Sequence, residues 1–421
     1  MNVKKYCRRD AARWGNLASL YGVQAIYSLA PLIVIPYLTR VMGPTGYGTL
    51  AFFQSLIAYG IIVLNFGFYV SAVRDGSRLR ENPKLLGEKF KRVAAAKVLL
   101  LCVVVSLMIL ATLFSDTISE NRGLFFACGL QLVGNIVLPT WLFQAVEQAH
   151  KMLTPQIVAK LSTTLLIIVF VQSANDIVLA ATLLSASDIL CGLILWRDVA
   201  RIVSLEGGIP KFREVIHELR ADFPLFRISL GSVLYTVFNP LLIEIFSGPA
   251  SVAYYSISMR IATTATKVTS PLIQAVSPRL SVLVLEDRRR AISLLMKAGT
   301  ALSALTILIG LAMFVGARNI LTIVAGGQFL GAESVLRALS PLAFLMVMGS
   351  LFGQNFAVHI GLEKSIARAY WGIGVLTALL MVPAVYAFGP LGSAILVVLS
   401  EIVVVGLIAF FISREERSWC A

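Results

Sequence analysis

The sequence predicts an all-α integral membrane protein with about twelve transmembrane helices in two six-helix lobes around a central cavity. The chain has 421 residues, of which 58% are hydrophobic and only 14% are charged. Soluble domains carry roughly 25% charged residues, so water is not the main solvent of this chain. The apolar residues fall in runs of about 20, the length that crosses about 30 Å of hydrocarbon. The basic residues lie in short clusters between those runs.

The apolar runs predict the spans in chain order. They cover residues 14–38, 49–70, 93–115, 123–146, 152–173, 176–196, 223–247, 250–278, 291–316, 333–358, 365–387 and 390–412. The first run is about 25 residues long and has no clear cleavage box, so it is expected to be an uncleaved span rather than a signal peptide. In the two longest loops, residues 83–92 and 210–220 predict short amphipathic helices on the membrane surface.

The distribution of lysine and arginine predicts the orientation of the chain. Of the 36 such residues, 26 lie on one side of the predicted spans and only Arg40, Arg122 and Arg318 on the other. The positive-inside rule makes the basic side cytoplasmic, with both termini on it. We therefore expect a multi-pass protein of the bacterial inner membrane. Because the net charge of +14 is dispersed in this way, it indicates orientation among membrane lipids and no nucleic-acid partner.

A weak internal repeat predicts two lobes. Gly43-Pro44 precedes the second predicted span and Gly248-Pro249 precedes the eighth, an offset of 205 residues. Two halves with corresponding breaks are typical of transporters whose binding site lies between the halves. The predicted lobes are residues 1–205 and 206–421.

The eighth predicted span carries a polar stripe on an otherwise apolar helix. Its members recur at helical spacing: Ser256, Arg260, Thr263, Thr264 and Lys267. Since Arg260 and Lys267 are seven residues apart, both cations point the same way, and a phosphate or diphosphate is a natural ligand for them. The alternative is a structural ion pair with a carboxylate on a neighbouring span.

Other charges inside the predicted spans are candidates of different kinds. Lys160 lies roughly 10 Å inside its span and is a second candidate for a substrate cavity. Lys97 and Lys297 lie within a turn or two of the cytoplasmic ends of their spans and are expected to snorkel to the surface. Asp188 and Glu401 either pair with these cations or bind a coupling ion, proton or sodium.

Catalytic, cofactor and metal signatures are missing from the sequence. It has no GxxxxGK[ST] phosphate-binding loop, and its cysteines and histidines are scattered without metal-ligand spacing. Oligosaccharide polymerases and ligases usually need a sizeable periplasmic loop, which the predicted topology lacks. We therefore expect a non-enzymatic protein without cofactor, driven by an ion gradient, the membrane potential or the substrate's own gradient.

Several short motifs resemble those of a known family. They are Pro36–Pro44 with Gly46-Tyr47-Gly48, Asn65–Phe68, Ser71–Asp75, Trp141–Gln144 with Glu147, and Tyr254-Tyr255-Ser256 with Arg260. They are similar to motifs of the O-antigen and polysaccharide flippases, which belong to the multidrug/oligosaccharidyl-lipid/polysaccharide exporter superfamily. The likeness extends from about residue 12 to 412.

This resemblance implies alternating access around a cationic cavity and outward movement of a polyprenyl-diphosphate-linked oligosaccharide for surface polysaccharide synthesis (O-antigen, capsule or exopolysaccharide). It implies that Arg260 holds the diphosphate and that Arg40, Gly43 and Arg74 lie at gates or loop ends. Polysaccharide polymerase and chain-length proteins are implied as partners. Two alternatives stay open: a drug or cation antiporter of the same superfamily, which should carry acidic residues at its cavity centre, and a peptidoglycan-precursor flippase, which often has additional helices.

Overall fold

The computed structural model describes most of the chain. Its backbone is described for residues 3–206, 208–233, 238–267, 286–357 and 360–420 and at scattered positions between 269 and 284. Within these ranges, side chains are described from residue 33 onward, except those of 228–233, 289, 354–355, 363–364 and 416–420. The described backbone is helical and contains no strand. This confirms the predicted all-α fold class. The lower part of the predicted eighth span, from residue 268, lies largely outside the described residues.

Eight helices form the first half of the chain. They are α1 (Val3–Asn65), α2 (Phe68–Leu79), α3 (Pro83–Phe114), α4 (Asp116–Glu120), α5 (Arg122–Val137), α6 (Thr140–Ala145), α7 (Leu153–Phe170) and α8 (Ile177–Ile202). Short 3-10 turns at Ala149–Met152 and Ala174–Asp176 lead into α7 and α8.

The described helices of the second half continue the series. They are α9 (Phe212–Val233), α10 (Phe238–Lys267), α11 (Arg288–Val315), α12 (Ala317–Val324), α13 (Glu333–Leu339), α14 (Leu342–Met348) and α15 (Glu363–Cys420). A 3-10 turn, Gly327–Ala332, precedes α13, and a π-helix, Gly349–Ala357, follows α14.

Close packing groups these helices into two compact units. The first unit holds Met1–Met42 and Phe53–Leu230, and the second holds Gly43–Phe52 and Gly231–Ala421. In the first unit α8 packs against α5 and α7, and in the second α15 packs against α10 and α13. The segment Gly43–Phe52 comes from the first half of the sequence but packs with the second unit. The lobe boundary at 205/206 stays a prediction.

Several helices are long and apolar enough to cross a membrane. Among the described residues there are seven, or eight if the bent pair Gly327–Leu339 and Leu342–Gly353 is one span. Ile33–Leu79 has 47 residues and Ser365–Glu415 has 51. At about 1.5 Å per residue each is roughly 70 Å long, enough for two crossings of about 30 Å. The protein is a multi-pass membrane protein, and the count of about twelve spans stays a prediction.

The glycines of the predicted repeat share one unusual backbone conformation. Gly43 has φ 65° and ψ −177°, and Gly248 has φ 76° and ψ 177°. This region of backbone space is essentially restricted to glycine. The proline that follows each glycine has a fixed φ that suits the first turn of the next helix. A third Gly-Pro turn, at Gly389 with φ 56° and ψ −137°, divides α15 in the same way.

Gly248→Ala should lower the free energy of unfolding by about 1–3 kcal/mol, the cost of placing an L residue in this conformation. A Cβ atom added at Gly248 meets no atom within 4 Å, so the cost comes from the backbone alone. Denaturation in mixed detergent micelles measures it. Gly406→Ala on α15 is the control, since its Cβ also meets open space and its φ is ordinary. Equal stability of the two variants would contradict the prediction.

The two predicted surface helices are not separate elements, and this prediction is wrong. Residues 83–92 form the first turns of α3, and α9 runs from Phe212 past Pro224 to Val233 without a break. The Asn82 side chain caps α3 by accepting hydrogen bonds from the backbone N–H groups of Lys84 and Leu85, both at 3.2 Å. Because no helix-stopping residue follows Asn82, the helix continues into the membrane span.

Candidate functional site

The polar stripe of the second unit lies on α10, after the turn at Gly248. Arg260 and Lys267 are exposed, whereas Ser256, Thr263 and Thr264 are half-buried. The Thr263 hydroxyl donates to the backbone oxygens of Met259 at 2.9 Å and Arg260 at 3.3 Å. Such back-bonding leaves the hydroxyl oxygen with acceptor capacity only.

The two cations of this stripe do not take part in the ion pairs of their unit. In the part of the second unit that the structure describes, Arg290 pairs with Asp287 at 3.1 Å and Arg337 with Glu333 at 2.6 Å. Arg260 and Lys267 have no such carboxylate partner among the described residues. A cation in an apolar span needs a partner or a water-filled cavity, so this face is suited to an anionic ligand.

The first turns of the α10 segment that carries Arg260 are held by close backbone packing. A Cβ atom placed on Gly48 would lie 1.8 Å from the backbone oxygen of Pro249. The Phe329 ring contacts Tyr47 and Tyr254 edge-on, with centroid distances of 6.1 and 6.2 Å. The second Gly-Pro turn is therefore packed against the helix that follows the first one.

The predicted gate residues have different surroundings. Arg40 is exposed, and its Nη1 donates to the backbone oxygen of Pro36 at 2.9 Å. Gly43 makes the tight turn described above. Arg74 is exposed and pairs with Asp75 at 3.0 Å, an exposed contact that contributes little to stability. Their roles at gates stay predictions.

The remaining predicted site residues lie in both units. Lys160 on α7 pairs with Asp188 on α8 at 3.3 Å, and both side chains are about three-quarters buried. Asp188 is therefore the carboxylate partner of a lysine in its own unit. Glu401 is half-buried on α15. The structure brings Lys160 and Asp188 together, and it places the five stripe residues on one helix.

A polar pocket around Lys97 was missed by sequence reasoning. Lys97 is only 8% exposed, so the prediction that it snorkels is wrong. Its ammonium donates to Asn135 Oδ1 at 3.0 Å, the Asn135 backbone oxygen at 3.3 Å and Asn65 Oδ1 at 3.4 Å. A cavity of about 120 Å³ adjoins it, lined also by Asp188 and Trp141. The signal available in the sequence was two asparagines inside apolar spans, which more often stabilise helix packing.

Small residues bring α5 and α8 close together beside this pocket. A Cβ atom on Gly134 would lie 3.0 Å from Asp188 Cβ, and one on Gly192 would lie 2.6 Å from the backbone oxygen of Val137. This approach places Asp188 next to the helix that carries Asn135. The pocket thus depends on contacts between residues far apart in sequence.

A second charged cluster joins α9 to α2 and α3. The Lys89 ammonium donates to Asp75 at 2.9 Å and also to Glu218. The Ser71 hydroxyl donates to the buried Asp222 at 2.6 Å, and burial raises the pKa of the Asp222 carboxyl. These contacts hold the middle of α9, at Glu218 and Asp222, against α2 and α3.

Comparison with known proteins places the chain in a family. A family model described as "Polysaccharide biosynthesis protein" matches residues 14–284, more than half of the chain. The chain belongs to the polysaccharide biosynthesis protein family. The chain is 27% identical, over 424 residues and 100% of both chains, to a protein of Escherichia coli (strain K12) named "Putative O-antigen transporter". A Shigella dysenteriae protein of the same name is 25% identical over 391 residues, covering 93% of this chain and 97% of that protein.

Solved structures share the fold of this chain. A multidrug resistance MATE family transporter of the MOP superfamily, inward-facing, matches with a TM-score of 0.72 at 16% identity, covering 96% of this chain and 98% of that one. The lipid II flippase MurJ matches with a TM-score of 0.72 at 13% identity, covering 94% and 87%. The family match and the two relatives confirm the resemblance inferred from the motifs, and the solved structures show the same fold.

Proposed function

We propose that this protein moves polyprenyl-diphosphate-linked oligosaccharide repeat units from the cytoplasmic to the periplasmic leaflet. The units supply surface polysaccharide synthesis, and the movement follows alternating access. The similarity to proteins named O-antigen transporters supports this substrate class. The strong bias of basic residues to one side supports a place in the inner membrane with both termini cytoplasmic. Polysaccharide polymerase and chain-length proteins are the partners we propose.

The observation that carries this proposal is the pair of cations on α10, Arg260 and Lys267, which have no carboxylate partner among the described residues. A guanidinium binds phosphate oxygens through two parallel, charge-assisted hydrogen bonds, and an ammonium adds a compact second charge. We therefore assign Arg260 to the diphosphate and Lys267 to the same anionic path two turns away. Thr263, which donates into its own helix, offers acceptor lone pairs suited to a sugar hydroxyl. Ser256 and Thr264 flank that path.

The alternative of a cation antiporter predicts the opposite charge at this face. A cationic drug would need acidic residues, whereas the α10 face carries two cations. Asp188, an acidic candidate in the first unit, is paired with Lys160. Charge complementarity therefore favours an anionic substrate.

Reconstitution into liposomes tests the proposal. A fluorescent polyprenyl-diphosphate oligosaccharide is supplied to one leaflet, and its appearance in the other is followed by quenching with a membrane-impermeant reagent. Parallel liposomes receive the polyprenyl-monophosphate analogue, lipid II or a cationic dye. We expect the diphosphate-linked oligosaccharide to move at least about 10-fold faster than the monophosphate analogue. The analogue lacks one phosphate group and therefore the charge-assisted hydrogen bonds to that group.

Each outcome of this comparison has a defined meaning. Preference for the oligosaccharide diphosphate supports the proposal. Faster movement of lipid II would assign the protein to peptidoglycan precursors. Movement of the cationic dye without the diphosphate would make it a drug antiporter.

A further inference from the structure

Two lysines within long apolar helices of the two halves have opposite environments. Lys97 lies on α3 and Lys297 on α11. Lys97 is only 8% exposed, whereas Lys297 is exposed. Burying an ammonium in an apolar span is costly unless it has a function or a partner. The burial of Lys97 therefore requires an explanation that the Arg260 face does not supply.

The hydrogen-bond partners of Lys97 are neutral oxygens. Among the described residues its three acceptors, from Asn65 and Asn135, belong to amides. Amide and carbonyl oxygens are also the groups that coordinate alkali cations, and here the ammonium occupies their centre. A protonated Lys97 thus leaves no place for sodium among these oxygens.

The charged side chains around the pocket carry both signs. The titratable and charged groups that line or adjoin the pocket, among the described residues, are Lys97, Asp188, Lys160, Cys191 and Tyr69. The Lys160 and Asp188 charges offset each other at 3.3 Å. The formal charges of Lys97, Lys160 and Asp188 therefore sum to +1 when Lys97 is protonated and to zero when it is neutral. Both forms can be bonded, because the amine retains donors for Asn135 and gains a lone pair.

Water can reach this group. The adjoining cavity of about 120 Å³ has room for about four waters at roughly 30 Å³ each. Lys97, Asp188 and the two asparagine side chains supply polar partners for such waters. A proton can therefore enter or leave through the cavity without exposure of Lys97 to lipid.

We propose that Lys97 is the proton-carrying group of this transporter and that the coupling ion is a proton rather than sodium. This inference rests on the proposed function and adds its energy source. In one step the neutral Lys97 amine binds a proton from water on the periplasmic side, forming an N–H bond. In the other step that bond breaks and the proton passes to water on the cytoplasmic side. One proton enters the cytoplasm for each substrate that leaves it, and Lys97 returns to its starting state.

Lys97→Arg separates proton transfer from a purely structural charge. Arginine keeps the positive charge and the hydrogen-bond donors but does not release its proton in proteins. Lys297→Arg, which makes the same substitution at an exposed lysine of α11, is the control. Each variant is reconstituted as the full chain with the labelled polyprenyl-diphosphate oligosaccharide, at equal pH and across a gradient of one pH unit. The membrane potential is clamped with potassium and valinomycin.

We expect wild type and Lys297→Arg to accumulate substrate asymmetrically, up to about 10-fold per pH unit for one exchanged proton. Lys97→Arg should show a ratio near one. Retention of the pH-driven asymmetry by Lys97→Arg would overturn the proposal. An asymmetric substrate distribution in wild type that depends on a sodium gradient and not on the pH gradient would also overturn it.

A substrate-free measurement distinguishes this proposal from the proposed function. Trp141 lines the same pocket, so its emission should change in a step when a pH titration changes the protonation of Lys97. The step should appear in purified wild type and Lys297→Arg and disappear in Lys97→Arg. If the step is present but no substrate moves, the proposed function fails and the proton site stands. If the emission of wild type and of Lys97→Arg depends on pH in the same way, Lys97 is not the proton-carrying group. That conclusion would hold whatever the transport assay shows.

Discussion

Arg260→Ala should lower translocation of a polyprenyl-diphosphate oligosaccharide by about 10- to 100-fold. Each hydrogen bond to a charged group contributes about 1.5–3 kcal/mol, and a tenfold change corresponds to 1.4 kcal/mol. The remaining Lys267 supplies charge but not the paired geometry of a guanidinium. Initial rates in proteoliposomes at subsaturating substrate measure the effect. Because Arg260 is exposed on α10, its loss should leave the folded yield unchanged.

Two control variants show whether the effect belongs to this position. Arg260→Lys keeps the charge and should retain part of the activity, because an ammonium binds phosphate as a point charge. Arg318→Ala removes another exposed arginine of the same unit, on α12, and should leave translocation unchanged. Full activity of Arg260→Ala beside an active wild type would place the diphosphate elsewhere.

Gly48→Ala should prevent stable packing of the second unit. The added Cβ would lie 1.8 Å from the Pro249 carbonyl oxygen, 2.5 Å from its carbonyl carbon and 3.2 Å from the backbone nitrogen of Ala253. All three are backbone atoms, which cannot rotate away as a side chain can. Overpacking in a core typically costs 1–3 kcal/mol, and an obstacle formed by backbone should cost at least about 3 kcal/mol. The expected result is a strong loss of monodisperse protein in detergent.

Gly372→Ala is the matched control for this prediction. Gly372 lies within α15, and its added Cβ meets no atom within 4 Å. Replacing a helical glycine in open space with alanine should leave stability equal or slightly higher. Size-exclusion profiles and thermal denaturation of both variants measure the difference. A Gly48→Ala protein as stable as Gly372→Ala would contradict the close approach of the two backbones.

Much of the fold was predictable because its signals are local. Hydropathy over about 20 residues identifies a span, and the absence of alternating polar residues over such lengths excludes strands. The repeat was visible as two Gly-Pro dipeptides, and both glycines have the conformation that only glycine adopts readily. The surface helices were mispredicted because hydropathy marks where apolar character begins, not where the backbone stops being helical.

The candidate site was predictable in part for the same reason. Arg260, Thr263 and Lys267 lie on one helix, so their spacing alone indicated a shared face. The state of Lys97 was not predictable, since its position near the end of a span suits snorkelling as well as burial. Its partners Asn65 and Asn135 lie on other helices, and their approach depends on helix packing.

The sequence by itself determined that this protein resides in a membrane, is helical, and carries a cationic stripe after a Gly-Pro turn. These properties follow from composition, periodicity and charge within short windows. Only the tertiary structure decided that Lys160 pairs with Asp188, that Lys97 is buried while Lys297 is exposed, and that Gly48 lies against Pro249. Each of these depends on which helix faces are in contact. Because apolar residues cover most faces of every span, periodicity alone does not distinguish a face turned to lipid from one turned to protein.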